Sequence, residues 1–317
     1  MGTLGYSISS EEHAAKDLVE HAQLAERAGF TVGMISDHYH PWTDAQGHSP
    51  FVWSVLGAIA STTSSIKMIT GVTCPTIRIH PAIIAQSAAT IATMMPGRFC
   101  LGVGSGEKLN EHILGDRWPE TDVRLEMLDE AVEVIRQLWQ GGMQSHHGKH
   151  YTVENARIYS LPEEPTPIYV AAAGPTAAKL AGKSGDGLIT TKPDPSVITT
   201  FDQAGGTGKP SHVQMTVCYE ENEAQALKTA MEIWPTAGVP GELSQELPTP
   251  AHFEQVSKLV TEQTLAESIV CGPDPEKHLE KINKAFDAGF DFVHIHQVGP
   301  NQAGMINFYK ENIFPRI

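Results

Sequence analysis

Apolar, β-branched runs alternate with segments of helical period almost from one end of the chain to the other. Thr3–Ile8 (TLGYSI) is the compact run expected of a buried strand, and 12–28 repeats its apolar positions at three- and four-residue spacing until Gly29 stops it. The same reading predicts strands at 32–36, 66–72, 99–104, 168–172, 187–191, 213–218 and 292–296. Helices are predicted at 51–62, 81–95, 123–139, 176–184, 222–234, 276–288 and 304–311. Eight strands in alternation with helices favour a closed α/β barrel, (β/α)8, over a doubly wound sheet.

Two stretches break the rhythm. Residues 145–160 (SHHGKHYTVENARIYS) predict a small hairpin inserted before the fifth strand. Residues 235–264, rich in Pro and Gly, are too long for an ordinary connection between strands seven and eight, and form either a lid or a packing arm. No repeat, low-complexity segment or composition break divides the chain, so residues 1–317 are expected to form one barrel domain.

Charge narrows the partners. Against 22 Lys and Arg stand 37 Asp and Glu, a net charge of −15, with no cluster of cations to neutralise a phosphate backbone. Nucleic acid is therefore not an expected partner. The first residues lack a basic segment followed by an apolar one, and no stretch approaches 18 uncharged apolar residues, so neither a membrane partner nor export is expected. Cys74, Cys100, Cys218 and Cys271 have no metal-like or paired spacing and read as reduced core thiols of a cytoplasmic protein.

In a barrel, chemistry gathers where strands end. After strand two, SDHYHPWTDAQGH places Asp37, His38, His40, Trp42 and His48 close together: a proton shuttle beside a ring that excludes water, or a capped turn with solvated imidazoles. His38 and His40 also form an H-x-H pair, which with His80, His294 and His296 keeps a metal site open, although no metal is the favoured reading. Gly71, Val72 and Cys74 leave strand three, where a glycine lets backbone approach a flat ligand. After strand four, GVGSGEKLNEH offers Ser105, Gly106 and Asn110 to an anion or ring oxygen, and Glu107 as a carboxylate able to handle a proton. After strand five, AAAGPTAAKLAG puts Ala173, Gly174, Thr176 and Ala177 at a helix start, either as a phosphate cradle or as close helix-to-strand packing.

Taken together, SDHYHPW, GVTCPTIRIHPAIIAQ, PGRFCLGVGSGEKLNEH, AAAGPTAAKLAGKSGDG and DAGFDFVHIHQVGP resemble the luciferase-like flavin and deazaflavin oxidoreductases, and within them the F420-dependent glucose-6-phosphate dehydrogenase group. The resemblance implies a TIM barrel, a homodimer, and coenzyme F420 held at the barrel mouth. It implies catalytic roles for His38 as the base at the substrate hydroxyl, Trp42 at the reacting face and Glu107 at ring nitrogen 1. It places Asp37, Gly71, Val72, Cys74, Ser105, Gly106 and Asn110 around the ring and ribityl chain, with a cis peptide at Gly71-Val72. Ala173, Gly174, Thr176 and Ala177 would take the coenzyme phosphate, with Arg78, Lys108 and Lys179 as candidate nearby cations. His40, Thr191 and Lys192 would meet the substrate.

Departures from that group redirect the substrate. Cys74 stands where the group has Thr, and Asp194 and Ala266 stand where it has the lysines that grip a sugar phosphate. A phosphate dianion lacks its cations here, so the expected small-molecule substrate is a neutral alcohol, a free sugar or a carbonyl compound. Two rival readings are an FMN-dependent monooxygenase of the same superfamily and a protein that binds a flavin or deazaflavin without turnover.

Overall fold

The computed structural model describes residues 2–239 and 241–317; Met1, and Pro240 within the Pro- and Gly-rich stretch, lie outside the described residues. Eight parallel strands form a closed barrel: β1 (Thr3–Ile8), β2 (Val32–Ile35), β3 (Lys67–Thr70), β4 (Phe99–Val103), β7 (Ile168–Ala171), β8 (Gly187–Thr190), β9 (Ser211–Cys218) and β11 (Phe292–Gln297). Each pairs with the next in that order; β8 joins β9, and β11 returns to β1 with Thr3 opposite Phe292 and Ser7 opposite His296. The remaining strands are β5 (Gln144–His147) and β6 (Thr152–Ala156), an antiparallel hairpin, and β10 (Val270–Cys271), which extends the edge of β9.

Alternation along the strands sorts the core into two shells. Leu4, Tyr6 and Ile8 face outward into the large apolar layer shared with the helices α1 (Ala15–Ala28), α2 (Val52–Thr62), α3 (Pro81–Met94) and α5 (Thr121–Trp139). Val32, Met34, Ile69 and Ile189 fill the inside, together with Tyr169 and Phe292. One side of the interior is polar: Ser7 donates to Gln214 at 3.3 Å, and the rings of His212 and His294 are bonded at 2.9 Å. Gly5 makes room for that pair, because a Cβ there would lie 2.4 Å from Nδ1 of His294.

Several boundaries differ from expectation. The first helix begins at Ala15 rather than residue 12, leaving Glu11 and Glu12 in the turn after β1, where their side chains enter the barrel mouth. Strand β3 stops at Thr70, short of 72; the Gly71-Val72 peptide that follows is cis, and Thr73 bridges again to Val103. A helix α7 (Pro195–Phe201) follows β8, capped by the Asp194 carboxylate accepting from Ser196 N–H at 2.8 Å; its β-branched sequence hides it from a propensity reading. The closing helix α13 (Gln302–Phe308) ends earlier than residue 311, in a wider turn at Tyr309–Ile313.

The two irregular stretches take definite places. Glu130 of α5 accepts from the backbone N–H groups of His150 and Tyr151, fastening the hairpin, while Tyr151 donates to Thr76 O at 3.0 Å behind the loop that follows β3. The stretch after α8 (Glu223–Ile233) holds α9 (Leu243–Glu246), α10 (Pro250–Ser257) and α11 (Glu262–Ser268). Its apolar residues Leu265 and Val260 join Cys218, Ala226, Ala230 and Cys271 in a small core of their own. Three further α-helices complete the set: the short α4 (Lys108–Glu111) after β4, α6 (Pro175–Ser184) after β7, and α12 (Pro275–Asp287) before β11.

Candidate active site

The turn after β1 meets the loop after β2. Glu11, 3% exposed, accepts from the hydroxyls of Ser9 at 2.9 Å and Ser36 at 2.6 Å through one oxygen. Its other oxygen stands 3.4 Å from Nε2 of His38. Burial opposes ionisation of this carboxyl, but His38, Ser36, its own backbone N–H and His296 outweigh the burial and hold it below the usual carboxylate range. Nδ1 of His38 donates to the carbonyl of His40 at 3.2 Å, so Nε2 is the position that takes a further proton, and once protonated it points that proton at the Glu11 carboxylate. Trp42 sets its ring edge-on to His38 at 4.9 Å and to Phe253 of α10 at 5.1 Å.

A second network lies behind this pair. Asp37, 4% exposed, accepts from Thr73 Oγ1 at 2.7 Å and from Arg78 at 3.0 Å. Arg78 reaches on to Glu111 through Nε at 3.3 Å and through its backbone N–H at 2.9 Å. The guanidinium is thus committed to two buried carboxylates, which corrects the expectation of Arg78 as a free cation for a coenzyme tail. Burial pushes the Glu111 carboxyl up despite Arg78, and burial followed by Glu111 pushes the Cys74 thiol up, keeping it protonated.

Asn110 ties the networks together. Its carbonyl oxygen accepts from the N–H groups of Tyr39 at 2.9 Å and His40 at 3.1 Å, and its amide reaches Glu107 at 3.4 Å. The His40 ring meets Leu109 O at 3.0 Å, so the two rings of the H-x-H pair diverge. Gly104 and Gly106 let the loops after β3 and β4 close on each other: a Cβ on Gly104 would lie 2.6 Å from Val72 Cγ2, and one on Gly106 2.6 Å from Cys74 Sγ. Ser105 and Glu107 follow in the same turn, at the mouth.

At the start of α6, Gly174 makes no side-chain cap and a Cβ there would meet open space; Ala173 and Thr176 are exposed and Ala177 is half-buried. Small residues and an uncapped helix start leave backbone N–H groups open there. Thr191 and Lys192 follow β8 and are exposed. Of the other histidines, His80 caps α3, His294 pairs with His212, and His296 faces Glu12 at 3.6 Å. Sequence reasoning missed Glu11 and Glu12 as members of the mouth, and offered His296 only as a possible metal ligand. The signal was there, since two carboxylates directly follow the C-terminal end of a barrel strand.

A closed (β/α)8 barrel with its polar side chains gathered at strand ends has the architecture of a barrel enzyme. The chain belongs to the luciferase-like monooxygenase family, whose model matches residues 2–291. Among its relatives, the F420-dependent glucose-6-phosphate dehydrogenase of Beutenbergia cavernae is 35% identical over 99% of this chain and 97% of that protein. The enzyme of the same name from Microbacterium testaceum is also 35% identical, over 99% of this chain and 96% of that one. The solved structure of an F420-dependent secondary alcohol dehydrogenase in complex with an F420-acetone adduct superposes with a TM-score of 0.92 at 30% identity, over 98% of each chain.

Proposed function

We propose that this chain is an F420-dependent dehydrogenase that transfers hydride between the deazaflavin and a neutral alcohol, sugar or carbonyl substrate. The observation that carries this reading is the Glu11–His38 pair at the mouth beside Trp42: a proton arriving at Nε2 of His38 is met by a carboxylate 3.4 Å away. The residues present fit the coenzyme, since the glycines after β3 and β4 bring backbone to a flat ring and the uncapped start of α6 suits its phosphate. When bound, coenzyme F420 supplies the ring carbon that exchanges hydride with the substrate.

The division of labour follows from chemistry. His38 takes the proton of the substrate hydroxyl, Glu11 stabilises the resulting imidazolium, and Trp42 excludes water from the reacting face. Glu107 manages the proton at ring nitrogen 1. His40, Thr191 and Lys192 border the substrate.

Substrate charge is argued from the mouth itself. Glu11, Glu12, Asp37, Glu107 and Glu111 gather there, and Arg78 is already paired. Asp194 caps α7 and Ala266 sits exposed on α11, where the sugar-phosphate enzymes would place lysines. A phosphate dianion would meet repulsion, so glucose 6-phosphate is disfavoured. We also propose a homodimer, as the resemblance implies, and a cytoplasmic protein, with hairpin and arm as insertions in one domain. Fluorescence titration should show tighter binding of F420 than of FMN, and a panel of alcohols, free sugars and sugar phosphates should reduce the coenzyme only with uncharged members. Tighter FMN binding would sink the cofactor reading.

A further inference from the structure

The two carboxylates of the turn after β1 diverge. Glu11 serves His38, while Glu12 crosses to the end of β11, where its Oε1 stands 3.6 Å from Nε2 of His296. Its other oxygen accepts from Gly299 N–H at 2.7 Å. Nδ1 of His296 faces Thr216 Oγ1 at 3.3 Å, and a hydroxyl donating there leaves the ring proton on Nε2. Both side chains are buried, at 3% exposure for His296 and 2% for Glu12. Yet Glu12 Oε1 and His296 Nε2 have no hydrogen-bond partner among the described residues. Folded proteins rarely leave such groups unsatisfied, because each has given up water for nothing. Two of them facing one point mark a place for a third group.

Geometry and donor inventory specify that group. An oxygen about 2.8 Å from each atom is an ordinary hydrogen-bonding position, and it fits over a pair 3.6 Å apart. This oxygen must accept from Nε2–H and donate to the carboxylate. A hydroxyl does both, whereas a ketone or ether oxygen only accepts and an ammonium only donates.

The place adjoins the reacting centre. Once its burial is overcome, the Glu11 carboxyl is stabilised by His296 as well as by His38. Trp234 sets its ring against His296 at 4.5 Å. Gln46, which holds the N–H of Trp42, also donates to the carbonyl of Ile233 beside Trp234. Trp234 leads into the arm, which places this point beneath the arm's first residues.

We propose that Glu12 and His296 form a second substrate subsite that reads another hydroxyl of the molecule oxidised at His38, making the preferred substrate class a diol or polyol. The inference rests on the alcohol-oxidising reading above.

The test compares isopropanol with propylene glycol and glycerol, by kcat/KM for reduction of F420 and by calorimetric binding to the coenzyme-loaded protein. The native chain should favour a hydroxylated substrate by about tenfold or more in both measurements, since a site built around a hydroxyl rejects analogues that lack it. Glu12→Met and His296→Phe, which keep bulk and remove the hydrogen bonds, should bring the ratio to within about twofold of unity. A merely structural role lowers activity toward all three alcohols together and leaves the ratio alone. Brisk oxidation with no preference in the native protein, or variants that retain it, overturns the subsite and leaves the pair holding a buried water only. Tight F420 binding without oxidation of any alcohol removes the alcohol reading, and the subsite with it.

Discussion

Glu11 is held against His38 from a fixed position: one carboxylate oxygen is bound by Ser9 and Ser36 at 2.9 and 2.6 Å, and the other faces Nε2 of His38 at 3.4 Å. The carboxylate therefore cannot swing away when the imidazole gains a proton. Glu11 is a positioning residue, acting through His38.

We predict that Glu11→Gln lowers kcat by about tenfold to a hundredfold, a fraction of what a positioned general base contributes. F420 affinity should change little. Because the Glu11 carboxyl is held below its usual value, its stabilising effect is present above the ordinary carboxylate range and lost as pH falls below it. The variant should lose that acid-side dependence, which a kcat profile carried from pH 8 down below pH 4 reads. An unchanged profile with unchanged kcat would remove Glu11 from the mechanism.

Arg78→Lys is a sharper test of the second network. One guanidinium joins Asp37 to Glu111 through separate nitrogens at 3.0 and 3.3 Å; an ammonium is a point charge and cannot span both in the same geometry. We expect F420 affinity to fall by about tenfold, following loss of one charge-assisted hydrogen bond. Fluorescence titration measures it. Native affinity in the variant would mean that the network supports the fold and not the coenzyme site.

Much of the barrel was legible because parallel strands buried on both faces read as apolar runs, and all eight barrel strands fall where such runs lie. Strand β10 escaped because two residues carry no pattern, and α7 because PSVITTF looks extended until Asp194 caps it. His38, Trp42, Glu107 and Asn110 announced themselves as a dense strand-end cluster. Glu11 and Glu12 did not, because an acidic pair before an amphipathic run also reads as an ordinary helix start. The commitment of Arg78 was illegible for a different reason: its partner Asp37 lies 41 positions away, and nothing local records that their loops meet.

The inner histidines should make the fold sensitive to acid. Burial pushes His294 down to about 3, and burial followed by His294 pushes His212 well below its usual value. The unfolded chain binds these protons near pH 6.5, so the folded state holds fewer protons below that point, and stability present above it is lost as pH falls. We predict a drop in Tm of about 5 °C between pH 7 and pH 5, reduced in the double variant His212→Phe, His294→Met. An equal drop in both proteins would assign the sensitivity elsewhere.

Gly5→Ala probes the same layer by volume. The new Cβ would lie 2.4 Å from Nδ1 of His294, and that ring is held by His212 at 2.9 Å, so it cannot yield freely. Overpacking of this kind costs about 1–3 kcal/mol. Urea unfolding should show it as a lower midpoint at unchanged slope, and a midpoint equal to the native one would mean that the histidine pair is not rigid.

Whether the arm is a lid or only packing turns on Phe253. The residue is fully buried, and its ring meets Trp42 edge-on at 5.1 Å. The same arm also meets the barrel through polar contacts, Glu246 with Trp118 and Arg124, each at 3.3 Å, and Glu254 with the N–H of Asp44 at 3.2 Å, and its far end packs Val260 and Leu265 against Cys218 and Cys271. Truncation of a buried Phe to Ala costs about 3–5 kcal/mol where the surroundings cannot collapse. Here the loss should fall first on docking of α10 over the mouth, because the far end of the arm stays anchored through Val260 and Leu265. Phe253→Ala should therefore raise KM for the alcohol by about tenfold with a smaller change in kcat, and speed limited proteolysis between residues 243 and 268. Lower global stability with native KM and native proteolysis would show that the arm packs against the barrel without covering the substrate.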